Sequence, residues 1–350
     1  MLAAGRYRVQ HSGKISAEYY TFNMSTSIEN IGLLTSGGDA PGMNAAIRAV
    51  VRTALYYNIQ VTGIRRGFEG MVNGDMALMD RRSVANIVQR GGTILKTARS
   101  EQFMMPEGRK LAYEQLQKNK VDALVVIGGD GTFKATQIFG QEFNMPIVGL
   151  PGTIDNDLFG TDFTIGYDTA INTVVNAVDK IRDTAESHDR LFIVEVMGKD
   201  GGQIALRTGI ATGAEAILIP DSISDIDSVF ARLERGRRHK SSKIIIVAEA
   251  EEASGGAFEI GDQIKEKYPN YDTRVSILGH IQRGGMPTCM DRVLASRVGV
   301  AAVEALLDGH RNEMIGVIHN DISYTDFSKA VKHNTEINPN FLKIVEILSL

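Results

Sequence analysis

Runs rich in glycine and aspartate, each directly after an apolar segment, are the features that most constrain this chain. They are Ser-Gly-Gly-Asp at 36–39, Gly-Gly-Asp-Gly-Thr at 128–132 and Pro-Gly-Thr-Ile-Asp-Asn-Asp at 151–157. The apolar segments have the length of buried strands, and helical patterns begin after the first two runs. Strand, tight loop and helix in this order predict a doubly wound α/β domain whose ligands bind at the carboxyl ends of its strands.

A second series of the same kind begins near Phe163. Its patterns predict helices over 168–186, over 225–237 and from Met290, and strands over 191–196, 216–219 and 243–248. The chain is therefore predicted to form two similar doubly wound, Rossmann-like α/β domains that face each other across a cleft. The expected boundaries are 28–165 plus 282–332 for the first domain and 166–281 plus 333–350 for the second, after a poorly ordered N-terminal extension at 1–27.

Composition limits the classes of partner. The formal net charge is −4, so the chain has no overall attraction to nucleic acid or membrane, and local clusters must hold any polyanion. Cys289 is the only cysteine, which excludes an internal disulfide and fits a reducing cytoplasm. Residues 1–27 lack the apolar core of a secretory signal, and no apolar run is long enough to cross a bilayer. We expect a cytoplasmic protein with no nucleic-acid or membrane partner.

The glycine runs at 36–39 and 128–132 are candidate phosphate sites. Backbone N–H groups and the helix dipole attract phosphate where a loop enters a helix, and glycine lets the main chain come close. Asp130 is a candidate ligand for Mg²⁺, which takes carboxylate oxygens and bridges phosphates. The alternative is two tight strand–helix turns in which the Asp only caps the helix. Neither run matches the Walker A pattern or the dinucleotide fingerprint.

The loop at 151–157 carries two carboxylates, Asp155 and Asp157, at a predicted strand end. A carboxylate in this position can act as a general base, and the second can tune it or organise metal-bound water. The alternative is a turn in which Asp and Asn bond to their own backbone. This loop taken alone does not decide between a catalytic carboxylate and a structural turn.

Charged residues of the second half gather at predicted strand ends and in loops. They are Arg190, Lys199, Glu249, Arg274, His280 and Arg283. Arginine suits phosphate because its planar fork is bidentate and always charged. Singly, each of these residues fits an ordinary surface charge, and His280 fits a structural histidine. Together they predict a sugar-phosphate site.

Several motifs together resemble the bacterial 6-phosphofructokinase family. They are Leu-Thr-Ser-Gly-Gly-Asp-Ala-Pro-Gly-Met-Asn at 34–44, the runs at 128–132 and 151–157, Met197-Gly198, and Leu-Gly-His-Ile-Gln-Arg-Gly-Gly at 278–285. The resemblance extends from about Ile28 onward. The 128–132 run alone also resembles NAD kinases and diacylglycerol kinases, but those families lack the motifs at 151–157 and 280–285.

The resemblance implies an ATP-dependent 6-phosphofructokinase of glycolysis with Asp155 as general base, and Thr153, Asp157 and Lys199 as further catalytic residues. The first domain would bind ATP and Mg²⁺ through Gly38, Arg99, Ser100, Gly129, Asp130, Gly131 and Thr132, with Asp130 as the metal ligand. Fructose 6-phosphate would be bound by Thr153, Ile154, Asp155, Arg190, Met197, Gly198, Lys199, Glu249, Arg274, His280, Ile281, Gln282 and Arg283. In the family Arg190 and Arg274 would reach the sugar phosphate of a neighbouring subunit, which implies a homotetramer.

Three positions bear on how far the resemblance extends. The family usually has Arg where this chain has Lys199, and Lys keeps the charge but loses the bidentate fork. We expect Lys199 to remain a phosphate contact with an altered turnover number.

Pyrophosphate-dependent relatives typically have Asp and Lys where this chain has Gly131 and Gly152. The two glycines leave the space of the nucleotide α-phosphate open, so ATP is the predicted donor.

A third cluster matches the family's effector site for ADP or phosphoenolpyruvate. It comprises Arg48, Arg52, Arg81, Arg182, Glu215, Arg238 and Lys240. The alternative is ordinary solvated charge, since Arg48 and Arg52 lie four residues apart on one helix face. Two alternatives to the whole function also stay open: a pyrophosphate-dependent phosphofructokinase, and a non-catalytic sensor of nucleotide or sugar phosphate.

Overall fold

The structure is a computed structural model that describes residues 5–9, 15–19, 28–198, 201–219, 243–249, 256–330 and 339–348. Its strands are β1 (Gly5–Val9), β2 (Ile15–Tyr19), β3 (Asn30–Thr35), β4 (Gln60–Ile64), β5 (Met76–Met79), β6 (Ala123–Gly128), β7 (Ile147–Pro151), β8 (Leu191–Val196), β9 (Ala216–Leu218), β10 (Lys243–Ala248), β11 (Thr273–Ile277), β12 (Glu313–Ile318) and β13 (Asp321–Asp326). Its helices are α1 (Met43–Tyr56), α2 (Gly67–Asn73), α3 (Glu101–Met104), α4 (Pro106–Lys118), α5 (Asp130–Phe143), α6 (Tyr167–Glu186), α7 (Gln203–Thr212), α8 (Gly256–Lys267), α9 (Cys289–Leu307) and α10 (Pro339–Leu348). A 3₁₀ turn spans Gly279–Arg283.

The first sheet has seven strands in the order β13-β12-β7-β6-β3-β4-β5. Its middle strands are parallel, and β5 and β13 pair antiparallel at its two edges. The central strands β3, β6 and β7 are buried along their whole length. Uninterrupted apolar strands of this kind are typical of a parallel sheet that is covered on both faces.

The second sheet has four parallel strands in the order β11-β8-β10-β9. The predicted strands 191–196 and 243–248 are confirmed, and the one predicted over 216–219 ends at Leu218. The helix predicted over 225–237 lies outside the described residues. The two α/β sheets agree with the predicted pair of doubly wound domains.

The long helix α9 brings the chain back to the first sheet. A Cβ atom on Gly299 would lie 2.7 Å from Cβ of Ala49, so α9 and α1 approach each other closely at a glycine. Strand β12 then pairs with β7. At the far end, Phe341 of α10 lies 5.7 Å from the guanidinium carbon of Arg207 on α7. These contacts agree with the proposed domain boundaries, which stay a prediction.

Residues 5–9 and 15–19 form a separate antiparallel hairpin, β1–β2. An isolated two-stranded hairpin is at best marginally stable in water. The poor order expected for residues 1–27 therefore stays a prediction. Among the described helices, none combines the length and the apolar character that crossing a membrane requires.

Candidate active site

A cavity of about 1020 Å³ lies at the carboxyl ends of β3, β6 and β7, and is called the strand-end cavity below. It is lined by Ser36, Gly37, Gly38, Asp39, Phe68, Thr97, Ala98, Arg99, Ser100, Glu101, Phe103, Met104, Gly129, Asp130, Gly131, Thr132, Ala135, Gly152, Thr153, Asp155, Asp157, His280 and Arg283. All seven residues predicted to bind ATP are among them. The three glycine-rich runs of the sequence therefore meet in one place, because the strands before them are neighbours in the sheet.

The N-terminus of α5 opens into the strand-end cavity. Gly129 is the N-cap residue, has an extended backbone and offers no side-chain cap. The first N–H groups of a helix have no partner within the helix, so they are available to an anion here. A Cβ atom on Gly131 would meet no atom within 4 Å, so this position faces open space.

The loop after β7 buries three of its polar side chains at the cavity wall. Thr153, Asp155 and Asp157 are all less than a tenth exposed. The hydroxyl of Thr153 accepts a hydrogen bond from the N–H group of Asp155 at 3.2 Å. The loop thus has the backbone bonds of a turn, and it also places two carboxylates in the lining of the cavity.

Asn156 shapes this loop from between the two carboxylates. Its φ of 52° lies in the left-handed region, which Asn tolerates better than most residues. Its Oδ1 accepts the N–H group of Thr164 at 2.8 Å, and its Nδ2 donates to the carbonyl oxygen of Asp162 at 3.3 Å. The amide of Asn156 therefore fastens the loop to residues 162–164.

Cationic side chains enter the strand-end cavity from two sides. Arg99 comes from the segment before α3. The next residue, Ser100, also lines the cavity, and its hydroxyl caps α3 by accepting the N–H group of Phe103 at 3.3 Å. His280 and Arg283 come from the 3₁₀ turn. The Nη1 atom of Arg283 donates to the carbonyl oxygen of Asp39 at 3.3 Å. The turn therefore reaches across to the loop after β3.

The charge of the cavity lining has a consequence for phosphate binding. Five of its side chains are carboxylic acids (Asp39, Glu101, Asp130, Asp155 and Asp157), and two are arginines (Arg99 and Arg283). A polyphosphate would meet excess negative charge unless a cation came with it. Asp130, which forms an ion pair with Lys134 at 2.7 Å, lies where such a cation would be held.

No three His, Cys, Asp or Glu side chains of the described residues are grouped closely enough to hold a metal alone. Mg²⁺ seldom needs such a group, since one or two carboxylates, water and substrate phosphates usually bind it. The acidic lining and the position of Asp130 therefore fit a Mg²⁺ ion that enters with the nucleotide.

Four of the residues predicted to bind fructose 6-phosphate line the cavity, namely Thr153, Asp155, His280 and Arg283. Gln282 is fully buried; its Oε1 accepts the N–H group of Met197 at 3.2 Å and its Nε2 donates to the carbonyl oxygen of Gly279 at 2.9 Å. Its demonstrable contribution is to join the segment of Met197 to the turn. Ile154 is buried and Ile281 is exposed, and neither belongs to the lining.

Arg190 and Arg274 lie together elsewhere, at the amino ends of β8 and β11. Both pair with Asp272, at 2.8 Å each. The hydrogen bond from Arg190 is the main cause that lowers the pKa of Asp272. These arginines are not part of the cavity lining, so within one chain they do not meet His280 and Arg283.

The remaining predicted residues are only partly described. Lys199, Arg238 and Lys240 lie outside the described residues. Met197, Gly198 and Glu249 follow the ends of β8 and β10, and the N–H group of Glu249 donates to the carbonyl oxygen of Val196 at 2.7 Å. None of these three is part of the cavity lining.

Of the predicted effector residues, Arg182 and Glu215 lie near the end of α7. Arg182 donates to the carbonyl oxygen of Thr212 at 2.6 Å, and the carboxylate of Glu215 accepts the N–H group of Ile244 at 2.5 Å. Arg48 and Arg52 project from α1, and Arg81 is exposed in a turn after β5. An effector site formed by these residues stays a prediction.

Sequence reasoning missed several lining residues. They include Phe68, Thr97, Ala98, Glu101, Phe103 and Met104. The rings of Phe68 and Phe103 stack with centroids 4.2 Å apart and form an apolar wall. Separate short elements supply these residues, and no motif marks them, so only the folded chain shows that they meet.

The fold and the strand-end cavity define an α/β protein whose glycine loops and pair of buried carboxylates line one cavity at the carboxyl ends of the strands. The family model for phosphofructokinase matches residues 30–306. The chain belongs to the phosphofructokinase family, as its motifs predict, and it is a phosphotransferase.

Curated relatives of similar length agree with this assignment. The chain is 54% identical over 325 residues to ATP-dependent 6-phosphofructokinase 2 of Bacteroides thetaiotaomicron, covering 93% of this chain and 99% of that protein. It is 52% identical over 324 residues to ATP-dependent 6-phosphofructokinase 1 of Thermus thermophilus, covering 92% of this chain and all of that protein.

Solved structures confirm the predicted fold. Phosphofructokinase from Saccharomyces cerevisiae superposes with a TM-score of 0.81 at 36% identity. That match covers 92% of this chain, which spans about half (48%) of the yeast chain. Pyrophosphate-dependent phosphofructokinase from Marinobacter aquaeolei, at 19% identity and a TM-score of 0.77, shares the fold and covers 92% and 91% of the two chains.

Proposed function

We propose that this chain transfers the γ-phosphoryl group of ATP to the 1-hydroxyl of fructose 6-phosphate, giving fructose 1,6-bisphosphate and ADP in glycolysis. The observation that carries the proposal is the meeting of the α5 N-terminus and Asp155 in one cavity. Phosphoryl transfer needs a phosphate cradle and a carboxylate that accepts the hydroxyl proton, held in line with each other. The names of the relatives at 50% identity and above support ATP as the donor and the sugar phosphate as the acceptor.

Residues of this chain divide the chemistry between them. The N–H groups at the start of α5, together with Arg99, bind the phosphates of the donor. Asp155 takes the proton of the attacking hydroxyl, and Thr153 and Asp157 hold the reacting groups on either side. Arg283 and His280 bind the sugar phosphate. Asp130 would hold Mg²⁺, which would supply positive charge against the negative charge of the transferring group.

The open space at Gly131 supports ATP over pyrophosphate. A side chain there would extend into the strand-end cavity, because a Cβ atom would meet nothing within 4 Å. Gly152 acts differently: its Cβ would lie 2.9 Å from Met43 Cε and 2.9 Å from Ile127 Cγ2. A lysine at 152 needs a shift of this core, so Gly131 is the position where the donor can be tested cleanly.

The general base is tested with Asp155→Ser, and Asp262→Ser serves as the control because its side chain is 77% exposed on α8. We expect Asp155→Ser to lower kcat by about 10²–10⁴-fold with little change in nucleotide binding. Asp262→Ser should match the unmodified protein. Equal kcat in Asp155→Ser would remove the base assignment, and nucleotide binding without turnover in the unmodified protein would favour the sensor.

A homotetramer is part of the proposal, because Arg190 and Arg274 lie outside the cavity of their own chain. In a tetramer they would complete the sugar-phosphate site of a neighbour. Arg274→Ala and Asp155→Ser are each expected to be inactive as pure proteins. After the two are unfolded and refolded together, a mixed oligomer would contain some sites with an intact Asp155 and an intact partner Arg274. Recovered activity would support sharing of sites between subunits. A mixture that stays inactive would contradict it.

Regulation and location complete the proposed function. ADP or phosphoenolpyruvate would bind near Arg48, Arg52, Arg81, Arg182 and Glu215, with Arg238 and Lys240. Loss of an effector response in Arg52→Ala, with unchanged basal turnover, tests this site. A cytoplasmic location stays a prediction that rests on the single cysteine.

A further inference from the structure

A buried carboxylate, Asp291, lies where α6 and α9 begin. It is 1% exposed. Its Oδ1 accepts the N–H group of Gly166 at 2.8 Å, and its Oδ2 accepts the N–H and O–H groups of Thr169 at 2.8 and 2.5 Å. Gly166 is the N-cap residue of α6 and has no side chain with which to cap it. Asp291 therefore caps α6 from a different helix.

Asp291 is not needed to cap its own helix. Thr288 is the N-cap residue of α9, and its hydroxyl accepts the N–H group of Asp291 at 3.2 Å. That hydroxyl also donates to the carboxylate of Asp168 at 2.6 Å, so a second negative charge stands nearby on α6. Burying a carboxylate beside another is costly, and burial raises the pKa of Asp291 to about 6. Its hydrogen bonds to α6 explain why a carboxylate is buried in this place.

The segment just before α6, residues 164–166, connects Asp291 to the loop at 151–157. The hydroxyl of Thr164, which is fully buried, donates to the carbonyl oxygen of Thr153 at 2.6 Å. The N–H group of Thr164 donates to Asn156 at 2.8 Å, and that of Ile165 to the carbonyl oxygen of Pro151 at 2.8 Å. Three consecutive residues, 164–166, thus bond to the catalytic loop on one side and to Asp291 on the other.

We infer that Asp291 is a positioning residue for the phosphoryl transfer: through Gly166 and Thr164 it fixes the loop that carries Asp155 and Asp157. This inference rests on the proposed function, in which Asp155 is the base. Asn156 holds its left-handed backbone between the two carboxylates by bonding to Thr164. A shift of the 164–166 segment is therefore passed directly to both carboxylates. Such small displacements matter because in-line geometry carries much of the rate.

The test joins kinetics to hydrogen exchange on the full-length oligomer, with the variants Asp291→Ala, Asp291→Asn and Thr164→Val. Asp291→Ala should lower kcat by about tenfold or more, with each KM within about threefold, because the loop moves while the outer contacts of the substrates stay. Asp291→Asn should fall between Ala and the unmodified protein, since its amide oxygen can still accept from Gly166. Amides of residues 152–157 should exchange about tenfold faster in Asp291→Ala, because they open locally more often.

Ile264→Ala is the matched control, because it removes buried apolar atoms from α8, which packs on the second sheet. It should lower stability without changing kcat or the exchange of 152–157. In the double variant Thr164→Val/Asp291→Asn, the fall in kcat should be smaller than the product of the two single falls. Both substitutions interrupt the same connection between Asp291 and the loop at 151–157. Unchanged exchange and kcat in Asp291→Ala would overturn the inference, and so would an equal kcat loss in Ile264→Ala.

Failure of the proposed function would be seen separately. If the unmodified protein does not phosphorylate fructose 6-phosphate, yet Asp291→Ala speeds exchange at 152–157 and Ile264→Ala does not, the positioning role of Asp291 stands and the reaction assignment falls. If the unmodified protein is active and Asp291→Ala leaves the exchange of this loop unchanged, the positioning role falls and the reaction assignment stands.

Discussion

The guanidinium group of Arg283 occupies the space that a side chain at Gly38 would need. A Cβ atom on Gly38 would overlap Nη1 of Arg283, which donates to the carbonyl oxygen of Asp39 at 3.3 Å. The turn that carries His280 and Arg283 therefore packs directly on the loop after β3. The absence of a side chain at Gly38 thus makes room for the guanidinium group of Arg283.

Gly38→Ala should separate the two loops without unfolding the protein. The methyl group would displace only the flexible end of Arg283, so we expect the free energy of unfolding to change by less than about 1 kcal/mol. The value of kcat/KM for both substrates should fall by about tenfold or more, because Arg283 leaves its position. Steady-state kinetics and urea unfolding measure the two effects.

Gly284→Ala is the control for that substitution. A Cβ atom there would meet only the carbonyl oxygen of Ile281 at 3.9 Å, which is an ordinary contact. Gly284→Ala is expected to have the same kcat and KM values as the unmodified protein. Unaltered kinetics in Gly38→Ala would mean that the packing of Arg283 on Gly38 has no functional role.

Gly131→Asp should weaken the use of ATP while leaving the fold intact. The new carboxylate would extend into open space beside the donor phosphates, and like charges placed together cost several kcal/mol, so kcat/KM for ATP should fall by about 100-fold or more. Gly152→Lys should lower the free energy of unfolding by about 1–3 kcal/mol, because Met43 and Ile127 must move. Retained ATP kinetics in a folded Gly131→Asp protein would contradict the donor argument.

Asp291 gives stability a pH dependence of unusual sign. Its pKa rises from the usual 3.8 to about 6 on folding, mainly through burial, so the folded state binds the proton more tightly. The resulting stabilisation is complete below about pH 4 and is lost as the pH rises through about 6. The free energy of unfolding, compared with that of Asp291→Asn, should therefore fall by up to about 3 kcal/mol from pH 4 to pH 7. Urea unfolding at fixed protein concentration measures this difference, and a constant difference would contradict the expectation.

The ion pair of Arg109 and Glu142 behaves in the ordinary way. Arg109 donates to both carboxylate oxygens at 2.6 Å and to the carbonyl oxygen of Met104 at 2.8 Å, and it lowers the pKa of Glu142. Glu142→Gln should cost about 0.5–1.5 kcal/mol of unfolding free energy at neutral pH, because solvent screens the partly exposed carboxylate. The cost should begin to shrink near the usual value of 4.5 and vanish as the pH falls through the lowered pKa of folded Glu142, where the carboxylate takes up a proton. Equal costs at pH 7 and pH 3 would show that charge is not involved.

The centre of the fold could be predicted from the sequence because its strands carry a strong pattern. β3, β6 and β7 are short apolar runs closed by glycine, and they lie side by side in the sheet. The edge strands β5 and β13, and β12 beside β13, were not predicted. β5 has only four residues, β13 mixes polar with apolar residues, and β12 is placed by its pairing with β7, which is distant in the sequence.

The candidate site was predictable to a similar extent. Gly38, Asp130 and Asp155 were predicted to meet because parallel strands bring their carboxyl ends to one edge. The buried role of Gln282 was not, because its partner Met197 lies 85 residues away. Asp291 has no motif around it, and only the packing of α6 against α9 shows what it holds.

The most direct test of the whole account is to measure fructose 1,6-bisphosphate formed from fructose 6-phosphate and Mg²⁺, with ATP and with pyrophosphate in parallel. Product with ATP alone, lost in Asp155→Ser, is the predicted result. Product with pyrophosphate alone would overturn the argument from Gly131 while the base and the sugar site stand. No product with either donor from a folded protein that binds ATP would contradict the proposed function.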